Sequence, residues 1–63
     1  MSDQPGRYRV TLVVDGRTVA SGWWDSAETA ARRFTRWIGE RGSPGARITL
    51  VDTGEDRMLQ AWP

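Results

Sequence analysis

Cysteine, histidine, lysine and asparagine are all missing from this 63-residue chain. Without cysteine there is neither a disulfide nor a thiolate metal site, and a reducing cytoplasm is the expected compartment. Without histidine the usual general base and the commonest metal ligand are gone. A serine or threonine nucleophile would find no conventional base, since lysine is missing too. No apolar run approaches the roughly 20 residues of a membrane span, and the N-terminus has no apolar signal core. These absences point away from an enzyme: no catalytic residue, no metal and no cofactor is expected. A chain this short makes one domain, near the lower limit of what folds without staples.

What is present is uneven in another way. All nine basic residues are arginine, set against eight acidic ones for a net charge of +1. A GC-rich coding sequence produces that bias by itself. Either way, the planar guanidinium pairs bidentately and stacks on aromatic rings, which suits a surface to contacts. Four tryptophans in so few residues are more than a small core normally takes.

One stretch organises the rest. Asp25 and Glu28 have the spacing of a capping box. Ala27, Ala30, Ala31, Phe34, Trp37 and Ile38 then recur with the helical period. Arg41 sets a cation at the negative end, and Gly42 is the expected left-handed residue beyond it. The spacing predicts a helix over about residues 26–41. Its other side carries Arg32, Arg33 and Arg36, with Glu28 and Glu40 placed for i,i+4 pairing, and reads as a solvated face.

Residues 1–6 are polar with proline and glycine, an expected flexible lead-in to a domain over 7–63. From Arg7 to Val14 the chain alternates, and Asp15-Gly16 is a strong signal for a type I′ hairpin. A two-residue turn sets Leu12 opposite Val19, Val10 opposite Ser21 and Tyr8 opposite Trp23, with Arg7 and Trp24 on the other face. After the helix, Pro44 forbids continuation. Residues 47–52 and 57–62 form a second hairpin around Thr53–Asp56. There Leu50 is expected to meet Leu59, Ile48 to meet Ala61, and Arg47 to meet Trp62. The order ββαββ implies an α+β two-layer domain. A right-handed crossover gives a four-stranded antiparallel sheet of order 2-1-3-4 with the helix packed on one face. The expected core is Val10, Leu12, Val19, Ala30, Phe34, Trp37, Ile38, Ile48, Leu50 and Leu59.

Two other patterns imitate chemistry. Asp52, Glu55 and Asp56 cluster on a hairpin tip, where water reaches them and the spacing of a calcium loop is absent. Gly39, Gly42 and Gly45 follow a helix C-terminus, whereas a phosphate cradle feeds an N-terminus. Both read as turns.

The uncovered side of such a sheet should be polar. The expected outer set is instead Arg7, Arg9, Thr11, Val13, Trp24, Arg47, Val51, Met58 and Trp62. Tryptophan and arginine dominate interface hot spots, while lysine, glutamate and aspartate are depleted there. The expectation is a small non-enzymatic binding module that docks a protein partner or forms a homodimer through this face. The alternative is nucleic-acid binding, with the arginines on phosphate or base edges and the tryptophans stacking. Met58–Trp62 also offers a strand edge with no blocking charge.

The stretch Gly16–Phe34, with Arg9–Leu12 before it and Trp62-Pro63 at the end, resembles a group of short actinobacterial proteins of unassigned activity. Their R-V-T-L opening, G-W-W pair and W-P ending are matched over most of the chain. The likeness implies no activity. Asp25–Ala31 is also similar to the helix start of AP2 and integrase arm-type DNA-binding domains, whose sheet enters the major groove. That resemblance implies Arg7, Arg9 and Trp24 as groove-facing residues. Those domains place three strands before the helix, where this chain places two.

Overall fold

A computed structural model describes residues 6–63. The lead-in expected over residues 1–6 therefore lies outside the described residues except for Gly6, which is buried. A Cβ there would stand 2.7 Å from the Trp24 backbone, so Gly6 belongs to the folded domain.

The elements are β1 (Tyr8–Val14), β2 (Arg17–Trp24), α1 (Ala27–Arg41), β3 (Ala46–Asp52) and β4 (Arg57–Trp62). They form one four-stranded antiparallel sheet of order β2-β1-β3-β4, with α1 packed across β1 and β3 and reaching β2. The expected α+β architecture and strand order are present.

Local chemistry explains most boundaries. The β1–β2 turn has positive φ at Asp15 (51°) and Gly16 (82°), as a type I′ hairpin requires. The helix is capped by Ser26, not Asp25: the Ser26 hydroxyl accepts from the Thr29 N–H at 3.3 Å. That shift moves Glu28 out of capping-box position, and its carboxylate accepts from Arg32 instead, at 2.8 Å. At the other end Gly42 is extended, with φ −68°, not left-handed. Its N–H donates to the Ile38 carbonyl at 2.9 Å, and the chain turns only at Pro44-Gly45, where Gly45 has φ 87°. Proline followed by a positive-φ glycine, closed by Ala46 N–H to Ser43 carbonyl at 2.9 Å, is type II turn chemistry.

The core is Val10, Leu12, Ala30, Phe34, Ala46, Ile48 and Leu50, all buried between sheet and helix. Trp37, Ile38 and Leu59 are half-buried against it. Val19 departs from expectation: it is 55% exposed. The reason is an irregularity in β2. Val14 opposes Arg17 and Val13 opposes Thr18, but Leu12 opposes Ala20, so Val19 is an extra residue. Beyond it the register is one residue off the straight hairpin: Val10 meets Gly22, Arg9 meets Trp23 and Tyr8 meets Trp24.

The second hairpin repeats the device. Asp52 opposes Arg57 and Val51 opposes Met58, but Leu50 opposes Gln60, which leaves Leu59 as the extra residue. Thr49 then meets Ala61 and Ile48 meets Trp62. Because side chains alternate with period two, a one-residue shift exchanges the faces. Trp24 and Trp62, both expected on the outer face, therefore lie on the helix side, packed against the core.

Each of these indoles lies over a glycine. A Cβ on Gly22 would collide with the Trp24 ring, and one on Gly42 would meet the Trp62 ring at 2.9 Å. Trp24 also makes an edge contact with Trp37, at 6.4 Å between centroids and 79° between planes. The Arg33 guanidinium covers Trp24 at 5.9 Å.

This register predicts an order of costs. Trp24→Ala and Trp62→Ala should each lose about 2 kcal/mol or more in urea denaturation, while Trp23→Ala should lose less than about 1 kcal/mol. A larger loss at Trp23 than at Trp24 would refute the assigned faces.

Candidate functional site

The outward side of the sheet is bare among the described residues. Its cross-strand rows follow from the register. At one end Trp23, Arg9, Val51 and Met58 stand side by side across all four strands. The middle row is Ser21, Thr11, Thr49 and Ala61. At the other end Thr18, Val13 and Arg47 align. Of the expected face, Arg9, Thr11, Val13, Arg47, Val51 and Met58 are brought together here. Met58 is 53% exposed, while Val13 and Val51 are half-buried among their neighbours.

Three expected members are elsewhere. Trp24 and Trp62 are under the helix, for the reason of register given above. Arg7 is turned to the end of the sheet, where its fork is occupied. Its Nε donates to Asp52 Oδ1 at 2.6 Å and its terminal nitrogen donates to Oδ2 at 2.9 Å. Trp23, which the straight register placed inward, takes the outward position. The doublet Trp23-Trp24 is the signal for it: adjacent strand residues face opposite sides, so one indole had to point out.

The Arg7–Asp52 clamp organises the β3–β4 turn. Asp52 is 4% exposed. Its Oδ1 also accepts from the N–H groups of Gly54 at 3.0 Å and Glu55 at 3.3 Å. The Arg7 carbonyl accepts from the Thr53 N–H at 2.9 Å and from its hydroxyl at 2.5 Å. Gly54 carries no side chain because a Cβ there would meet Arg7 Nε at 2.6 Å. The hydrogen bond from Arg7 holds the Asp52 carboxyl below its ordinary range, against a desolvation effect that raises it; the Glu55 and Gly54 N–H groups add to the lowering. The acidic hairpin tip is thus built into the turn.

The electrostatics of the open face are one-sided. Arg9 and Arg47 point outward from the sheet, and no carboxylate occupies any of the three rows. The acidic residues among the described ones lie elsewhere: Glu28 and Glu40 pair with Arg32 and Arg36 on the helix, at 2.8 and 3.3 Å. Asp52 holds Arg7. Asp15, Glu55 and Asp56 sit at hairpin turns, and Asp25 precedes the helix. Among the described residues neither Arg9 nor Arg47 has an ion-pair partner. The Arg9 guanidinium lies over the Trp23 ring at 5.3 Å. Two atoms on β1 in this face, Arg9 Nε and Thr11 Oγ1, are shut off from solvent without a hydrogen-bond partner. Groups left in that state cost about 1–3 kcal/mol each.

No enclosed pocket and no cluster of metal-ligating side chains occurs among the described residues. No helix there is long and apolar enough to cross a membrane. No family model, characterised protein or solved structure matches the chain.

The clamp has a pH signature. A carboxyl held below its unfolded value of about 3.9 contributes stability that is full above that pH and is lost as pH falls through the folded value. Thermal melts between about pH 2 and 6 should show stability decreasing below about pH 4, with a shallower decrease in Asp52→Asn. An unchanged acid limb in the variant would remove Asp52 as its source.

Proposed function

We propose that this protein is a small non-enzymatic binding module whose open sheet face makes protein–protein contact. The observation that carries the reading is the row Trp23, Arg9, Val51 and Met58, set across all four strands on the side the helix leaves bare. A sheet face exposed to water should carry polar residues, and Val13 adds a further apolar side chain to it. Tryptophan, methionine and arginine are enriched where interfaces form. The strand edges support the face over the edges as the contact. Both edge strands carry an extra residue, Val19 in β2 and Leu59 in β4, which interrupts the ladder a docking strand would have to match.

Nucleic-acid binding is served less well by the same residues. Arg7 is committed to Asp52 and Trp24 and Trp62 are turned inward, so of the expected arginines and tryptophans only Arg9 and Arg47 remain, with Trp23 as the one outward indole. Phosphate recognition draws its affinity from the number of charges neutralised.

A photo-reactive residue at Met58, introduced in cells, should yield a protein adduct, while the same group at Arg36 on the exposed helix side should yield none. Trp23→Ala should abolish the adduct without unfolding the domain. Binding to duplex or single-stranded DNA at about 50 mM salt, with a steep log–log salt slope removed by Arg9→Gln, would overturn the reading in favour of nucleic acid.

A further inference from the structure

We propose that the face takes an acidic segment of another protein, two carboxylates meeting Arg9 and Arg47 across the Thr11–Thr49 row, in preference to a second copy of this chain. The inference rests on the protein-docking reading above and concerns the chemistry of the occupant.

Charge distribution carries it. The whole chain is almost balanced, yet among the described residues the open face holds two outward guanidinium groups and no carboxylate. Arg7, Arg32 and Arg36 spend their donors within the domain; Arg17, Arg33, Arg41 and Arg57 also have no ion pair among the described residues but lie off this face. Arg9 and Arg47 are left with donors for an external acceptor. Two copies meeting face to face would set these cations against one another with no anion between them, and like charges directly opposed at an interface are unfavourable. An acidic partner reverses the sign of that term.

Geometry sets the spacing. Arg9 pairs with Val51 and Arg47 pairs with Val13, so the two arginines stand on adjacent strands, four residues apart along β1. At about 3.3 Å per residue and about 4.8 Å between strands, their backbones are ~14 Å apart. An extended segment with carboxylates at its first and fifth positions spans about 13 Å and presents both on one side, with the third side chain between them. Thr11 and Thr49 lie midway between the arginines, beneath that third side chain, with Val51 beside Arg9 and Val13 beside Arg47. Arg9 is already held over Trp23, which lowers the cost of ordering its guanidinium on binding.

The test uses displayed peptide libraries panned on the full-length protein. One library fixes glutamate at the first and fifth positions of a randomised extended segment, and a matched library fixes glutamine there. The glutamate library should enrich, the glutamine library should not, and Arg9→Gln and Arg47→Gln should each cut the enrichment at least tenfold while keeping the wild-type melting temperature. Equal enrichment of both libraries would overturn the acidic occupant and leave protein docking standing. So would a dimer in sedimentation at micromolar concentration that Met58→Gln dissolves. Preference for DNA over either library would overturn the inference and the docking reading together. Absence of enrichment from either library would overturn the acidic segment while the crosslinking result decides the reading beneath it.

Discussion

One surplus residue in each outer strand decides how this domain closes. Val19 in β2 and Leu59 in β4 each oppose nothing, and each rotates the strand beyond it by one position. The consequence is the same at both ends of the sheet: an indole that the straight hairpin would send outward goes under the helix. Seven buried apolar side chains, two of them alanine, are a small core for one helix on four strands. Trp24 and Trp62 extend it sideways, against Trp37 on one flank and the helix C-terminus on the other. A large flat ring at the periphery buries apolar area that short aliphatic side chains cannot reach.

The same insertions bear on the edges. A regular outer strand offers a row of free N–H and C=O groups to any extended chain. Here the outer strands carry their irregularities in the middle, so a continuous ladder is not on offer along either. Core closure and edge protection are in this way two results of one local feature. What remains open is the sheet's broad side, and its contents can be judged without the competing pull of edge pairing.

The strands, the helix and their order were legible from residue types alone. Alternation from Arg7 to Val14, Asp15-Gly16 as a turn, Pro44 as a stop and the stripe from Ala27 to Ile38 all report local physics that tertiary contacts did not overrule. The near misses were local too. Ser26 took the cap from the neighbouring Asp25, and Gly45 took the positive φ expected at Gly42. The site was less legible because a bulge has no residue signature of its own: Val19 and Leu59 are ordinary strand residues. The trace they leave is indirect. Gly22 two positions before Trp24 shares its face, and the missing side chain is where the ring lies. Gly42 beneath Trp62 has no such fixed spacing, since the two meet only through the tertiary fold. Arg7 was misplaced for a similar reason. Its partner Asp52 is 45 residues away, and only the β1–β3 pairing brings them together.

Whether the open face is a product of core packing or a feature in its own right can be argued from the tryptophan doublet. Trp24 is required by the helix side: Trp37, Arg33 and Gly22 are all arranged around it. Trp23 is required by nothing beneath the sheet, because its neighbour already fills that side. A threonine or serine would satisfy strand propensity there, as Thr11, Thr49 and Ser21 do in the next row. The same holds for Met58 and Val51, which face outward from positions where a polar residue would pair as well. Arg9 lies over the Trp23 ring with its Nε left without a hydrogen-bond partner. An apolar row that the core does not need, next to cations without an ion pair among the described residues, is the feature on which the proposed docking rests.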